Sequence, residues 1–275
     1  MIHYMPRPDQ FARMTTHELR SAFLVSDLFI PGATLLRMVD LDRVVLGGIV
    51  PLDTPIALIA PPALGAEYFT ERREIGVLNT GGAGRVRVEG QEYPLAAHDV
   101  LYVGRGNRDV TFASDDQAAP ARFYLVSYLA HAECETTLVR RAEADVLELG
   151  AAEQANRRQV RRYIHAGGAR SAQLVMGVTT LAPGSVWNTM PAHTHERRTE
   201  VYLYFDLPRD AMVVHLVGLP GETRHLIARD GEVALSPGWS VHSGCGTTAY
   251  SFCWAMGGEN QDYGDMQGVA MTSLR

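Results

Sequence analysis

Residues 190 to 204 read MPAHTHERRTEVYLY, and the side chains in them that could do chemistry are His193, His195 and Glu200. In an extended chain alternate side chains point the same way, so a His-x-His pair offers two imidazoles from one face. Glu200 opens the apolar, aromatic run that follows and returns a carboxylate toward them. His242 lies beyond the SPGW turn segment, where a neighbouring strand could bring it back. Three imidazoles and one carboxylate suit Zn²⁺ and also Fe²⁺, Mn²⁺ or Ni²⁺, so ligand type does not select the metal. An isolated HxH is more often a surface pair. The glutamate five residues on and the PxxxxH downstream turn the reading toward a metal site.

Composition narrows the chemistry further. With 275 residues, 46% hydrophobic and 20% charged, the chain is long enough for one large globular domain or two fused ones. A net charge of −6 and scattered basic residues argue against nucleic acid or an anionic membrane as partner. All 25 basic residues are Arg. Without a lysine amine, Schiff-base catalysis and covalent pyridoxal phosphate are excluded. Cys134, Cys245 and Cys253 have no CxxC spacing, which fits a reducing compartment rather than a disulfide framework. The first residues carry Pro and charge instead of an apolar signal core, and no run approaches the roughly 18 apolar residues of a membrane helix. The expected location is cytoplasmic.

The elements that must position these residues are mostly short strands. TTHELRSAFLV reads as a helix with Thr16 as a possible cap. After it, β-type runs recur at roughly 8 to 12 residue spacing, punctuated by Gly and Pro, which predicts an all-β barrel or sandwich with a few helices. The Ala/Glu/Arg-rich segment 142–164 carries helical periodicity, so the expected organisation is a half over 1–140, a helical linker over 141–165 and a half over 166–275. A weak internal repeat supports two halves. YFTERREIGVLNT resembles HTHERRTEVYLYF when one residue is gapped, placing Glu74 on Glu200, with Tyr68 and Thr70 on His193 and His195. Downstream the same comparison puts Asp99 on Glu232, Gly104 on Pro237 and Asp109 on His242. The first half is therefore expected to lack the metal ligands.

HxHxxxxE followed by PxxxxH resembles the two-motif signature of the cupin superfamily, although Trp239 and Gly246 stand where those proteins usually carry Gly and Asn. NTMPAHTHERRTEVYLYF, together with RVVLGGIVP, LAPGSVWNTMP, SPGWSVHSGCGT and GENQDYGDM, is similar to the 5-keto-4-deoxyuronate isomerases of pectin degradation. That resemblance runs in order from about residue 43 to about residue 266. It implies a mainly β, duplicated cupin fold and one Zn²⁺ per chain on His193, His195, Glu200 and His242. It also implies conversion of 5-keto-4-deoxyuronate to 3-deoxy-D-glycero-2,5-hexodiulosonate and assembly as a homo-oligomer, a hexamer.

Moving a carbonyl from C1 to C2 requires loss of the proton alpha to an aldehyde, an enediolate, and reprotonation next door. Without lysine a metal is the natural electrophile. Glu200 is the candidate base, although a ligating carboxylate is a weak one. A small anionic sugar acid calls for an Arg, and Arg197, Arg198 and Arg224 are nearest the motif, with Tyr202 and Tyr204 sharing the Glu200 face. His215, His225 and His98 read as structural, Cys245 as a small filler, and Glu259, Asn260 and Gln261 as a polar cluster lining the site or an interface. The competing readings are a 5-deoxyglucuronate isomerase, an Fe(II) cupin dioxygenase and a non-catalytic sugar-binding cupin.

Overall fold

The computed structural model describes residues 2–275. The chain forms two compact units, but they are not sequential halves. One comprises residues 28–145 and 163–175 with Ile2 and His3; the other comprises 4–27, 146–162 and 176–275. Both are mainly β. The first has a seven-stranded sheet that includes Val45–Ile49, Phe123–Leu129, Arg73–Asn79 and Val100–Val103, and a four-stranded sheet built on Val110–Ser114 and Gly84–Val88. The second repeats the plan. Its seven-stranded sheet includes Arg158–Ile164, Val175–Leu181, Ser251–Gly258, Arg198–Phe205 and Val233–Ser236. Its four-stranded sheet contains Val241–Gly246, Val213–Leu219 and Glu222–Ala228. Among the described residues no helix is long and apolar enough to cross a membrane.

The helix expected over 142–164 is absent. Strand Asp145–Leu149, a short 3-10 turn at Ala152–Gln154 and strand Arg158–Ile164 take its place. Gly150 and Ala155 sit at φ +78° and +50°, which no α-helix accepts. Asn156 braces the reversal by accepting the Ala151 amide at 2.8 Å. The intrinsic helix preference of Ala, Glu and Arg is worth only tenths of a kcal/mol per residue, about what sheet pairing overrides. The helix at Thr16–Phe23 forms as expected, one residue out in its cap. Thr15 accepts the Glu18 amide and Glu18 accepts the Thr15 amide, a capping box. Its Phe23 and the preceding Phe11 meet Trp239 edge-on, with ring centroids 6.2 and 5.6 Å away. Trp239 is thus an anchor for this helical plug, which accounts for its departure from the cupin pattern.

The duplication is visible in strand order, but its register differs from the expected one. Ile75 pairs with Val103 as Glu200 pairs with Ser236. The ungapped match therefore holds, and Ile75 occupies the place of Glu200. Because strand neighbours face opposite ways, Glu74 points out of the core. There its carboxylate accepts the amides of Ala172, Gln173 and Leu174 at 2.6, 2.7 and 2.7 Å and the Tyr102 hydroxyl at 2.7 Å. Asp109 is exposed, and it is the next residue, Val110, that enters the core. Ile75, Val77, Leu101, Val103, Val110 and Phe112 fill the first unit with hydrocarbon. The corresponding interior of the second unit holds Glu200, Tyr202, Tyr204, His215 and His242, all buried.

Candidate metal centre

The second unit brings its ligands in from three directions. Glu200 stands on an interior strand of the seven-stranded sheet, paired in register with Ser236 on one side and Met256 on the other. His242 comes from the opposing sheet, where it pairs with Val217. His193 belongs to a short ladder with Gln267–Gly268, and His195 follows two residues later. Their Nε2 atoms converge. His193 is 3.2 Å from His195 and 3.0 Å from His242, and Glu200 Oε2 lies 3.1 Å from His195 and 2.9 Å from His242. Metal–ligand bonds of about 2.1 Å place neighbouring ligands about 3.0 to 3.4 Å apart, so these spacings are those of donors sharing one ion.

Hydrogen bonding fixes the donor atoms. The Asp265 carbonyl can only accept, so His195 Nδ1 carries its proton toward that oxygen at 3.0 Å and turns the Nε2 lone pair inward. His242 Nδ1 lies 3.4 Å from the Ser240 carbonyl, which can only accept, and 3.1 Å from the Ser236 hydroxyl, which can accept as well; a proton on Nδ1 leaves Nε2 free for the cluster. Burial, reinforced by His242, pushes the His193 imidazole down to about 3, so at neutral pH it too offers a lone pair. Burial alone would favour the protonated form of Glu200, but His242 and His195 outweigh it and hold the carboxyl below its ordinary range. Lone pairs and a carboxylate crowded this closely repel one another unless a shared proton or a cation lies between them, and a single divalent cation would satisfy all four at once. Among the described residues these four form the group with metal-ligand spacing, all donor atoms lying within 4.8 Å of one another. The residues present fit a divalent metal.

His193, His195 and Glu200 line a cavity of about 220 Å³ in the second unit. Its walls are largely aromatic and apolar, with Tyr202, Phe252, Trp254 and Tyr263 among them, and Arg158, Thr179 and Thr189 supply polar groups. Thr189 Oγ1 and the Tyr202 hydroxyl are 3.2 Å apart beside the ligands. Thr189 holds φ +50°, a costly backbone state for a β-branched residue.

Of the sequence-derived candidates, Tyr202 lines this cavity with the ligands, whereas the nominated arginines do not. Arg198 is buried and donates to the Asp265 carbonyl at 2.7 Å, behind His195. Arg197 pairs with the Asp265 carboxylate. Arg224 donates to the Met14 carbonyl at 2.9 Å. Tyr204 lies deeper, its hydroxyl 2.7 Å from His215 Nδ1. His225 is exposed. Asn260 donates to Asp265 at 2.6 Å and so belongs to the brace behind His195. Sequence reasoning missed Arg158, Thr189, Tyr263 and Asp265. Arg158 was hidden in the segment read as helix, and Asp265 acts through a backbone carbonyl that residue type cannot reveal.

Fold and site together define a bicupin in which one barrel keeps a metal-type ligand set and the other is filled with hydrocarbon. A family model described as the KduI/IolB family matches residues 63–268. A protein of Opitutus terrae named 4-deoxy-L-threo-5-hexosulose-uronate ketol-isomerase is 52% identical over 275 residues, covering 100% of this chain and 99% of that one. Among solved structures, an IolB-like protein from Salmonella typhimurium LT2 superposes with a TM-score of 0.70 at 12% identity, covering 90% of this chain and 96% of that one. A Bacillus subtilis oxalate decarboxylase variant gives 0.56 at 12% identity, over 79% and 70%. The two structural matches speak to the fold alone. The chain belongs to the KduI/IolB family, and it is an isomerase.

Proposed function

We propose that the protein is a zinc-dependent aldose–ketose isomerase that converts 4-deoxy-L-threo-5-hexosulose uronate (5-keto-4-deoxyuronate) to 3-deoxy-D-glycero-2,5-hexodiulosonate in pectin and uronate catabolism. The observation that carries this reading is the four-donor cluster, three of whose residues line a cavity, in a chain matched end to end by a relative of that name. When bound by His193, His195, Glu200 and His242, zinc would supply Lewis acidity toward the substrate carbonyl. The chain's own residues do the rest. The net change removes the proton on C2 and adds one to C1, while the C2 hydroxyl proton is lost and the C1 oxygen gains one. Glu200 is lowered in basicity by its histidine neighbours, which suits it to ligation and makes it a weak base on its own. The Thr189–Tyr202 hydroxyl pair, 3.2 Å apart in the cavity lining, is our candidate for passing a proton between the two substrate oxygens. The largely aromatic and apolar lining would limit exchange of the migrating proton with water once substrate fills the cavity.

The same reading carries a homo-oligomer, a hexamer, which light scattering checks. The family description joins two groups, so 5-deoxyglucuronate is the alternative substrate. Proton NMR of each substrate incubated with purified enzyme separates the two. Turnover of the ketouronate, with 5-deoxyglucuronate untouched, supports the proposal; the reverse selectivity would replace it.

A further inference from the structure

We infer that Arg158 is the residue that receives the substrate's carboxylate, and that it sets the enzyme's selectivity for six-carbon uronates over neutral sugars. This rests on the uronate reading given above. Apart from Glu200 in the ligand cluster, Arg158 is the one formally charged side chain among the described residues lining the cavity. It opens strand Arg158–Ile164, and strand alternation puts Val160 beside it on the same cavity wall.

Its own bonding is incomplete in an informative way. Nη1 donates to the Asn156 carbonyl at 2.8 Å. No carboxylate of the described residues pairs with it, and the ionisable side chains that share its cavity wall besides the ligand cluster are the phenols of Tyr202 and Tyr263. Burial lowers its basicity, as for a charge withdrawn from water without a counter-ion. A guanidinium in that state, with Nε and Nη2 still to donate, is built for two parallel bonds to one carboxylate.

The alternatives are spent elsewhere. Arg198 and Arg197 both serve Asp265, and Arg224 serves Met14. The substrate's two ends also match the cavity's two polarities. The reacting C1 and C2 oxygens are neutral and belong at the ligand cluster, and the carboxylate at C6 belongs at the cation on the wall. A neutral aldose would leave Arg158 desolvated and unpaired, a cost that disfavours it.

The test combines kinetics and calorimetry on zinc-loaded protein. Arg158→Gln is expected to raise KM for the ketouronate about 10- to 100-fold, with kcat changed far less and zinc still at one per chain. Arg158→Lys should lie between the two and guards against a Gln variant that fails to fold. Galacturonate and galactose serve as non-reacting probes. Wild type should prefer the acid, and Arg158→Gln should bind both alike. An unchanged KM, a loss confined to kcat, loss of zinc from both variants, or no carboxylate preference to lose in wild type would each overturn the inference. If wild type fails to isomerise the ketouronate, the proposed function falls, but the calorimetric preference still decides the role of Arg158.

Discussion

A methyl group placed at Gly238 offers a sharp test of how the ligand cluster is held. Gly238 sits in the turn between Ser236, which bonds His242, and Trp239, which anchors the helical plug. A Cβ built there would lie 2.5 Å from the His195 carbonyl oxygen and 3.1 Å from that of Arg198. Ordinary contact begins near 3.4 Å, so turn and ligand segment must part by roughly 0.9 Å, and backbone yields less readily than a side-chain tip. Displacing a metal ligand by this much is expected to cost about 10- to 100-fold in zinc affinity, on top of about 1 to 3 kcal/mol of overpacking strain. Gly48→Ala is the control. Its Cβ would meet the Leu28 carbonyl at 2.1 Å in the other unit, so it should lower the thermal midpoint and leave zinc affinity intact. Competition with a chromogenic chelator, read beside thermal melts, separates the two effects. Wild-type zinc affinity in Gly238→Ala would refute the reasoning that the turn is packed directly against the ligand segment.

Two further outcomes follow from the interiors of the barrels. Ile75→Ala, at the position matching Glu200, should destabilise the protein by about 2 to 5 kcal/mol through a core cavity, with zinc stoichiometry unchanged on metal analysis. His215 is pushed down to about 3, mainly by burial. Its neutral form therefore supports folding fully above pH 6.5, and that support is lost as pH falls from 6.5 toward 3. The slope is at most about 1.4 kcal/mol per pH unit. Between pH 7.5 and 5 the chelated wild type should lose about 2 kcal/mol more than chelated His215→Phe, and equal losses in thermal or denaturant melts would contradict this.

The parts of this protein legible in its sequence are those written in side-chain type and short spacing. HxHxxxxE and PxxxxH specify four donors because strand alternation and one turn suffice to converge them. The strands around Thr34–Val39, Phe123–Leu129 and Ser251–Gly258 were readable because apolar runs end in clear Gly and Pro signals. The repeat was readable in outline and misread by one residue. Two glutamates near an ERR triplet invite alignment on each other, whereas only the pairing of Ile75 with Val103 shows which residue faces inward. Segment 142–164 was misread because local composition favours helix while pairing to distant strands decides the outcome. Arg158 went unseen for the same reason. Asp265 could not be found at all, because its carbonyl orients His195 across about seventy residues of intervening chain.

The central claim is that His193, His195, Glu200 and His242 hold a zinc ion on which isomerisation depends. The most direct measurement follows conversion of 5-keto-4-deoxyuronate by enzyme dialysed against a chelator, then titrated with Zn²⁺, alongside His242→Ala. No turnover is expected after dialysis, with recovery complete at one equivalent of zinc per chain and no recovery in the variant. Full activity in the metal-free enzyme would contradict that claim.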